Sequence, residues 1–255
     1  MTSYPSQVYV WEDFYFGIFS PGCYRNETKA RITVFIALDS GSIEIEEDNG
    51  KRCRVQYAVV KRSQPVIISS DCDFITLQYF PLSMEYHSLN RFINDQSIRE
   101  IEFNAELAQL SWISAARSGQ ADSSAFIKGC AQLLTSIAGY RSVSHKIDSR
   151  ALYVAQRIRK ELPDVSPITD YADELNISPD RLSHVFKDSL DVSIKNYVLL
   201  EKMRKALLLT VQGVPFTEAS LQAGFADAAH FSRSTKKNFS LTPTTISNDI
   251  RVHVF

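Results

Sequence analysis

The sequence predicts an α+β chain of two domains, an antiparallel β-barrel with attached helices followed by an all-helical region. Three observations predict it. As far as Tyr79, short runs of β-branched and aromatic residues are broken by turn residues. From Ser97 the apolar spacing changes to threes and fours. Beyond Asp148 the apolar runs are all helical in period and are bounded by caps, Pro or Gly. The expected boundaries are 1–140 for the first domain, 141–147 for a polar linker, and 148–255 for the second domain.

Within the first domain, Gln7 to Phe19 is rich in Tyr, Trp, Phe and Val, and Arg31 to Leu38 is apolar and β-branched. Asp39-Ser40-Gly41 breaks that run. Ser42 to Glu46 alternates, and Asp48-Asn49-Gly50 is a strong hairpin turn. Further strands are expected at Val55 to Val60, Val66 to Ile68 and Phe74 to Tyr79, a spacing that suits a small barrel or jelly roll. Trp11, Tyr15, Phe19, Tyr24, Tyr57 and Phe74 supply enough aromatic surface to fill the barrel as core or to line an apolar effector pocket. Arg25, Lys29 and Arg31 are cations available to an anionic ligand or to solvent.

Between Ser97 and Gly119, Ile98, Ile101, Ala105, Ala108, Trp112 and Ala115 form a seam of coiled-coil spacing, expected on one helix. The seam serves either a partner subunit or packing within the chain. Another helix is expected over about Ser123 to Ala138.

In the second domain Asp148 caps a helix that Pro163 ends. Thr169 to Leu175 and a helix opened by Pro179 make a first helix pair. A long helix runs from about Ser193 to Gln212, ended by Gly213. Pro215 opens the next helix, Asp227 the one after, and Thr242-Pro243 a last short one.

Composition narrows the class. The chain has 255 residues, 44% hydrophobic and 22% charged, ordinary for a water-soluble fold of this size. No secretory signal or apolar run of membrane-spanning length is visible, so a cytoplasmic protein with no membrane partner is expected. Cys23, Cys53, Cys72 and Cys130 lack the spacing of a metal site or a disulfide framework. A metal-dependent barrel enzyme needs converging histidines, and the barrel region contains only His87. No enzyme activity, metal or cofactor is therefore expected. Net charge is −1, but from Lys195 onward 8 basic residues face 4 acidic ones.

Two helices of the second domain have the division a groove-reading helix needs, apolar within and hydrogen-bonding without. In the first, Leu182, Val185, Phe186 and Leu190 share one face and Asp180, His184 and Lys187 the other, with Arg181 and Ser183 at the margins. In the second, Phe231, Thr235 and Phe239 face inward. Ala229, His230, Arg233 and Lys237 face outward, flanked by Ser232 and Lys236. The helix between them, at about 1.5 Å per residue, approaches the roughly 34 Å between successive major grooves on one face of a duplex.

These motifs resemble those of the AraC/XylS family of transcription regulators. The second resembles the family signature at Ala219, Ala223-Gly224-Phe225, Asp227, His230-Phe231, Arg233, Lys236-Lys237 and Pro243. The first does so at Leu182-Ser183, Phe186-Lys187, Ser193, Tyr197 and Ala206. The resemblance implies a cupin-like regulatory and dimerisation domain ahead of a DNA-binding domain with two helix-turn-helix motifs. It implies Asp180, Arg181, Ser183 and His184, with Ala229, His230, Ser232 and Arg233, as base readers. Lys187, Lys236 and Lys237 become phosphate contacts, which position without specifying. Double-stranded DNA, RNA polymerase, a second copy of the chain and a small-molecule effector are the implied partners, with activation the implied outcome. The alternative is the same regulator controlled by a protein partner or by its own abundance, without a ligand. Thr235 departs from the usual Phe, Lys202 and His184 from Arg, and Asp191 and Ser240 from Gly, the last two at positions that favour positive φ.

Overall fold

The computed structural model describes residues 6–11, 13–26, 31–103, 111–120, 122–239 and 250–254, with the backbone alone at 111, 237–239 and 250. The chain divides into two compact units, one of residues 1–144 with 237–255 and one of residues 145–236.

The first unit is built on two sheets. The larger contains β1 (Ser6–Val10), β2 (Phe14–Phe19), β4 (Ile32–Ala37), β7 (Tyr57–Val60), β9 (Phe74–Tyr79), β10 (Ile98–Glu100) and β11 (Ile250–Val254), in the order β10-β7-β4-β9-β2-β1-β11. The smaller runs β3-β8-β5-β6, from β3 (Gly22–Asn26), β8 (Val66–Ser70), β5 (Ile43–Glu47) and β6 (Arg52–Val55). Neighbours are antiparallel except β1 and β11, which run parallel.

Alternation along β4 explains the layering. Phe35 and Ala37 point into a core shared with Ile43, Ile45, Val66 and Ile68 of the smaller sheet. Ile32, Val34 and Ile36 point the other way, into a core shared with α1 (Met84–Ile93), α2 (Ser111–Ser118) and α3 (Ser123–Thr135). All six residues of β4 are thus buried, as period-2 geometry requires of a strand covered on both faces. Trp112 of α2 lies against Phe16 and Phe126, with ring centroids 5.5 and 5.1 Å away. A Cβ on Gly129 would meet its indole at 2.5 Å, so α3 needs glycine there.

Two expectations are corrected here. The single helix over Ser97 to Gly119 does not form: Ile98 lies in β10, paired with Val60, and Ile101 is buried in the helix-side core. Trp112 likewise spends its surface within the chain, while Ala105 and Ala108 lie outside the described residues and Ala115 is half-buried on α2. The seam Ile98–Ala115 is therefore not one continuous dimer helix. The six aromatic residues also do not converge on one pocket. Trp11 and Tyr57 join the helix-side core, Phe19, Tyr24 and Phe74 the core between the sheets, and Tyr15 packs edge-on to Phe80. The core between the sheets is filled, with Phe35, Ile43, Ile45, Val60, Ile68 and Phe74 all at most 2% exposed. A half-open groove of about 320 Å³ lies elsewhere, lined by Phe14, Tyr79, Met84, Ile127 and Cys130 among others.

The second unit is helical: α4 (Ser149–Glu161), α5 (Ile168–Glu174), α6 (Pro179–Leu190), α7 (Ile194–Val211), α8 (Phe216–Gln222) and most of α9 (Ala228–Phe239). Asp148 caps α4, its carboxylate accepting from the Arg150 amide at 2.9 Å; bonds to the Arg150 side chain contribute most to holding that carboxyl down at about 2. The expected short helix after Thr242-Pro243 lies outside the described residues. The region expected to be wholly helical ends instead in β11, which returns to the larger sheet of the first unit. Among the described residues no helix is long and apolar enough to cross a membrane.

Candidate nucleic-acid interface

Two helix pairs repeat one local construction. After α5 the amides of Leu175, Asn176 and Ile177 bond to the carbonyls of Tyr171, Asp173 and Ala172. After α8 the amides of Ala223, Gly224 and Phe225 bond in the same pattern to Ala219, Leu221 and Ser220. The middle residue of each turn is left-handed, Asn176 at φ 52° and Gly224 at φ 87°. Asn tolerates that conformation, whereas Gly224 has a second constraint: a Cβ there would meet Pro163 at 2.9 Å. An oxygen-bearing side chain then starts each outer helix. Ser178 Oγ accepts from the Arg181 amide at 3.2 Å, and Asp227 Oδ1 from the His230 amide at 2.5 Å.

The outer helices present the residues the sequence selected. On α6, Leu182, Phe186 and Leu190 are fully buried and Val185 nearly so, while Asp180, Arg181, Ser183, His184 and Lys187 are exposed. Tyr171 of α5, also buried, donates to Glu161 of α4 and anchors the pair. Asp191 closes α6 at φ 58°, the left-handed value expected where it replaces glycine. On α9, Phe231 is buried between Phe216 and Phe225, and Ala229, His230, Arg233 and Lys236 are exposed. Ser232 is half-buried, a more enclosed place than that of Ala229, His230 and Arg233. The His230 ring stands edge-on to Phe225 at 5.3 Å, which limits its freedom. The side chains of Lys237 and Phe239, and all of Ser240, lie outside the described residues.

Between the pairs α7 runs unbroken for 18 residues, about 27 Å at 1.5 Å per residue. Sequence reasoning missed what fixes it. Glu201 is 5% exposed and accepts from Arg159 of α4 at 3.0 Å and from Arg204, one turn on, at 2.9 Å. Lys205 Nζ donates to the Leu162 carbonyl at 2.9 Å, and Lys202 Nζ to the Gly224 carbonyl at 2.8 Å, in the second turn itself. Lys202 thus does by a single bond what a branched arginine fork would do with several. The spacing of Glu201 and Arg204 was a visible local signal. Arg159, 42 residues away, carried none.

No group of residues among those described could hold a metal ion. His87 is committed to the Pro81 carbonyl at 2.7 Å. The four cysteines are free thiols, with Cys23 exposed and Cys130 buried.

A pair of three-element motifs on one connecting helix, each offering a polar face on its outer helix, defines the class of helix-turn-helix DNA-binding proteins. Residues 171–249 match the family model for a helix-turn-helix domain. The chain is 32% identical over 85 residues to the Msm operon regulatory protein of Streptococcus mutans, covering 33% of this chain and 31% of that one. It is 30% identical over 105 residues to the arabinose operon regulatory protein of Escherichia coli, covering 40% and 36%. The chain therefore spans about a third of the length of these curated relatives. Beyond the helical region, the whole fold resembles that of ToxT from Vibrio cholerae bound to (E)-4-(8-methylnaphthalen-1-yl)but-3-enoic acid. That likeness has a TM-score of 0.57 at 14% identity and covers 91% of this chain and 97% of that one. ToxT with an unsaturated fatty acid bound gives 0.54 at 14%, covering 92% and 95%. The likeness to these operon regulatory proteins goes with a helix-turn-helix domain at residues 171–249.

Proposed function

We propose that this protein is a sequence-specific DNA-binding regulator of transcription, an activator, in which the β unit (residues 1–144 with 237–255) controls the helical, DNA-binding unit. The observation that carries the reading is the duplicated turn, with its matching hydrogen bonds and left-handed centres, on either side of the unbroken α7. Asp180, Arg181, Ser183 and His184 of α6, with Ala229, His230, Ser232 and Arg233 of α9, read base edges. Lys187, Lys236 and Lys237 hold phosphates. RNA polymerase is the proposed partner in activation and a second copy the proposed oligomer, both supported by family resemblance alone.

The test is selection of bound duplexes from a random library followed by footprinting. Two protected segments about one helical turn apart support the reading; one segment, or none, sinks it.

The proposed effector is a small apolar carboxylic acid. Support comes from the bound ligands of ToxT and from Arg31, a cation only 4% exposed, set against the rings of Tyr15 and Phe80 at 5.6 and 5.7 Å. Burial lowers this guanidinium to about 10, so it is still cationic at neutral pH. The filled core between the sheets favours the alternative, control by a protein partner or by abundance with no ligand. Native mass spectrometry separates them: a retained acid that is lost in Arg31→Gln supports the effector, and a ligand-free chain of unchanged mass supports the alternative.

A further inference from the structure

The chain enters the larger sheet with β1 and comes back to it, at its other end, with β11. The two pair in parallel register from Ser6↔Ile250 to Val10↔Val254. Parallel neighbours need a long crossover, and here the crossover is nearly the whole protein, including both reading helices. Only residues 240–249 separate the end of α9 from β11. Fully extended, that length spans at most roughly 40 Å. With β11 in place, α9 is leashed to the edge of the β unit.

β11 has the properties of a strand that can leave. It is five residues long, stands at the sheet edge, and pairs in the weaker, parallel sense. Arg251 and Val254 are exposed. Its anchor is His253, whose ring stacks on that of Tyr9 with centroids 4.5 Å apart and planes 12° apart. Its Nε2 lies 2.8 Å from Gln7 Oε1. Tyr9 and Gln7 are buried, so the sheet presents a preformed seat.

We propose that β11 is a releasable latch: docked on β1, it restrains the second reading helix, and released, it lets α9 engage DNA. The inference rests on α9 reading DNA, as proposed above. Val8 and Val252 are register partners, both half-buried, and neighbouring strands lie within the reach of a disulfide. The experiment uses the full chain with Val8→Cys and Val252→Cys, in a Cys23→Ser background, beside a chain ending at Asp249. Each binds the duplexes selected by the wild-type chain.

The shortened chain should bind about tenfold more tightly than wild type, the population cost removed from a latch that otherwise opens about one-tenth of the time. The oxidised pair, which cannot open, should bind more weakly than its reduced form by at least about that factor. A disulfide that does not form overturns the docking. Equal affinity of the oxidised and reduced forms overturns the latch, whether or not the shortened chain folds. Arg233→Ala is the control for the underlying reading. If it binds like wild type, the role of α9 fails; if it binds weakly while the latch states agree, only the latch fails.

Discussion

The two outer helices, α6 and α9, differ in packing and in charge. The inner face of α6 is apolar throughout, with Leu182, Val185, Phe186 and Leu190 buried and the Tyr197 ring edge-on to Phe186 at 5.5 Å. Its outer face balances Arg181 and Lys187 against Asp180 and Asp188. On α9 the pattern reverses. Its inner face includes Ser234 and Thr235, both buried, and its described outer face carries Arg233 and Lys236 without a carboxylate past Asp227. A helix with a good core and little net charge holds geometry and discriminates. A helix with a poorer core and uncompensated cations supplies affinity, because phosphate neutralisation is the larger and less selective term. α7 joins the two, and Lys202 ties it to the weaker turn.

The largest expected effect is on the first core. Phe186→Ala should destabilise the helical unit by about 3–5 kcal/mol, read by denaturant unfolding of the full chain. Ser234→Ala should stay well below that, and equal losses would break the contrast in packing. Next come the proposed readers. Arg233→Ala should cost about 1–3 kcal/mol of specific binding and relax preference at one base pair. His184→Ala on α6 should change preference more than affinity. If His184→Ala abolishes binding and Arg233→Ala does not, the division of labour runs the other way. Below these lies Lys236→Ala, expected to weaken binding to all sequences and flatten the salt slope by about one unit. Titrations across a salt series measure it.

What could be read from the sequence was local. Turn and cap chemistry placed Asp148, Asp191 and Asp227 correctly, because a left-handed centre or a capping oxygen is decided by a residue and its near neighbours. Helical period sorted α6 into faces for the same reason. The failures were all long-range. Ile98 and Ile101 share the spacing of a helical seam, yet a three-residue strand has no period to announce itself. The six aromatic residues were recognisable as apolar surface of the β region, but nothing local says which side of which sheet a ring faces. Arg159 finds Glu201, and β11 finds β1, only after the chain has folded back on itself.

The latch also makes a prediction about pH. Burial holds the His253 imidazole below its ordinary value, and Arg251 on the same strand adds to the effect. Facing it from β1 are Gln7 and Tyr9, whose phenol burial pushes up to about 12 and keeps neutral; the turn after α2 brings the uncharged Gly119 beside it. A released strand has the ordinary value of about 6.5 and so binds more protons at mildly acidic pH. Docking is therefore fully present above that value and is lost as pH falls through the docked one. Hydrogen exchange at residues 250–254 should quicken on acidification relative to the rest of the sheet. In His253→Gln that excess should vanish; if it persists, another group governs release.

The smallest effect tests the contrast at its weakest point. Thr235 is fully buried, and its hydroxyl donates back to the Phe231 carbonyl at 2.9 Å, so it is satisfied within its own helix. Thr235→Val replaces that hydroxyl with a methyl of similar size and removes nothing that faces DNA. The second motif should gain up to about 1 kcal/mol from the added apolar burial, with operator affinity unchanged. A loss of stability would mean that the hydroxyl is needed to bond the Phe231 carbonyl, and that the inner face of α9 is polar by construction. A gain in affinity alongside stability would instead show that α9 limits binding through its packing, so that attraction and stability are coupled in one helix.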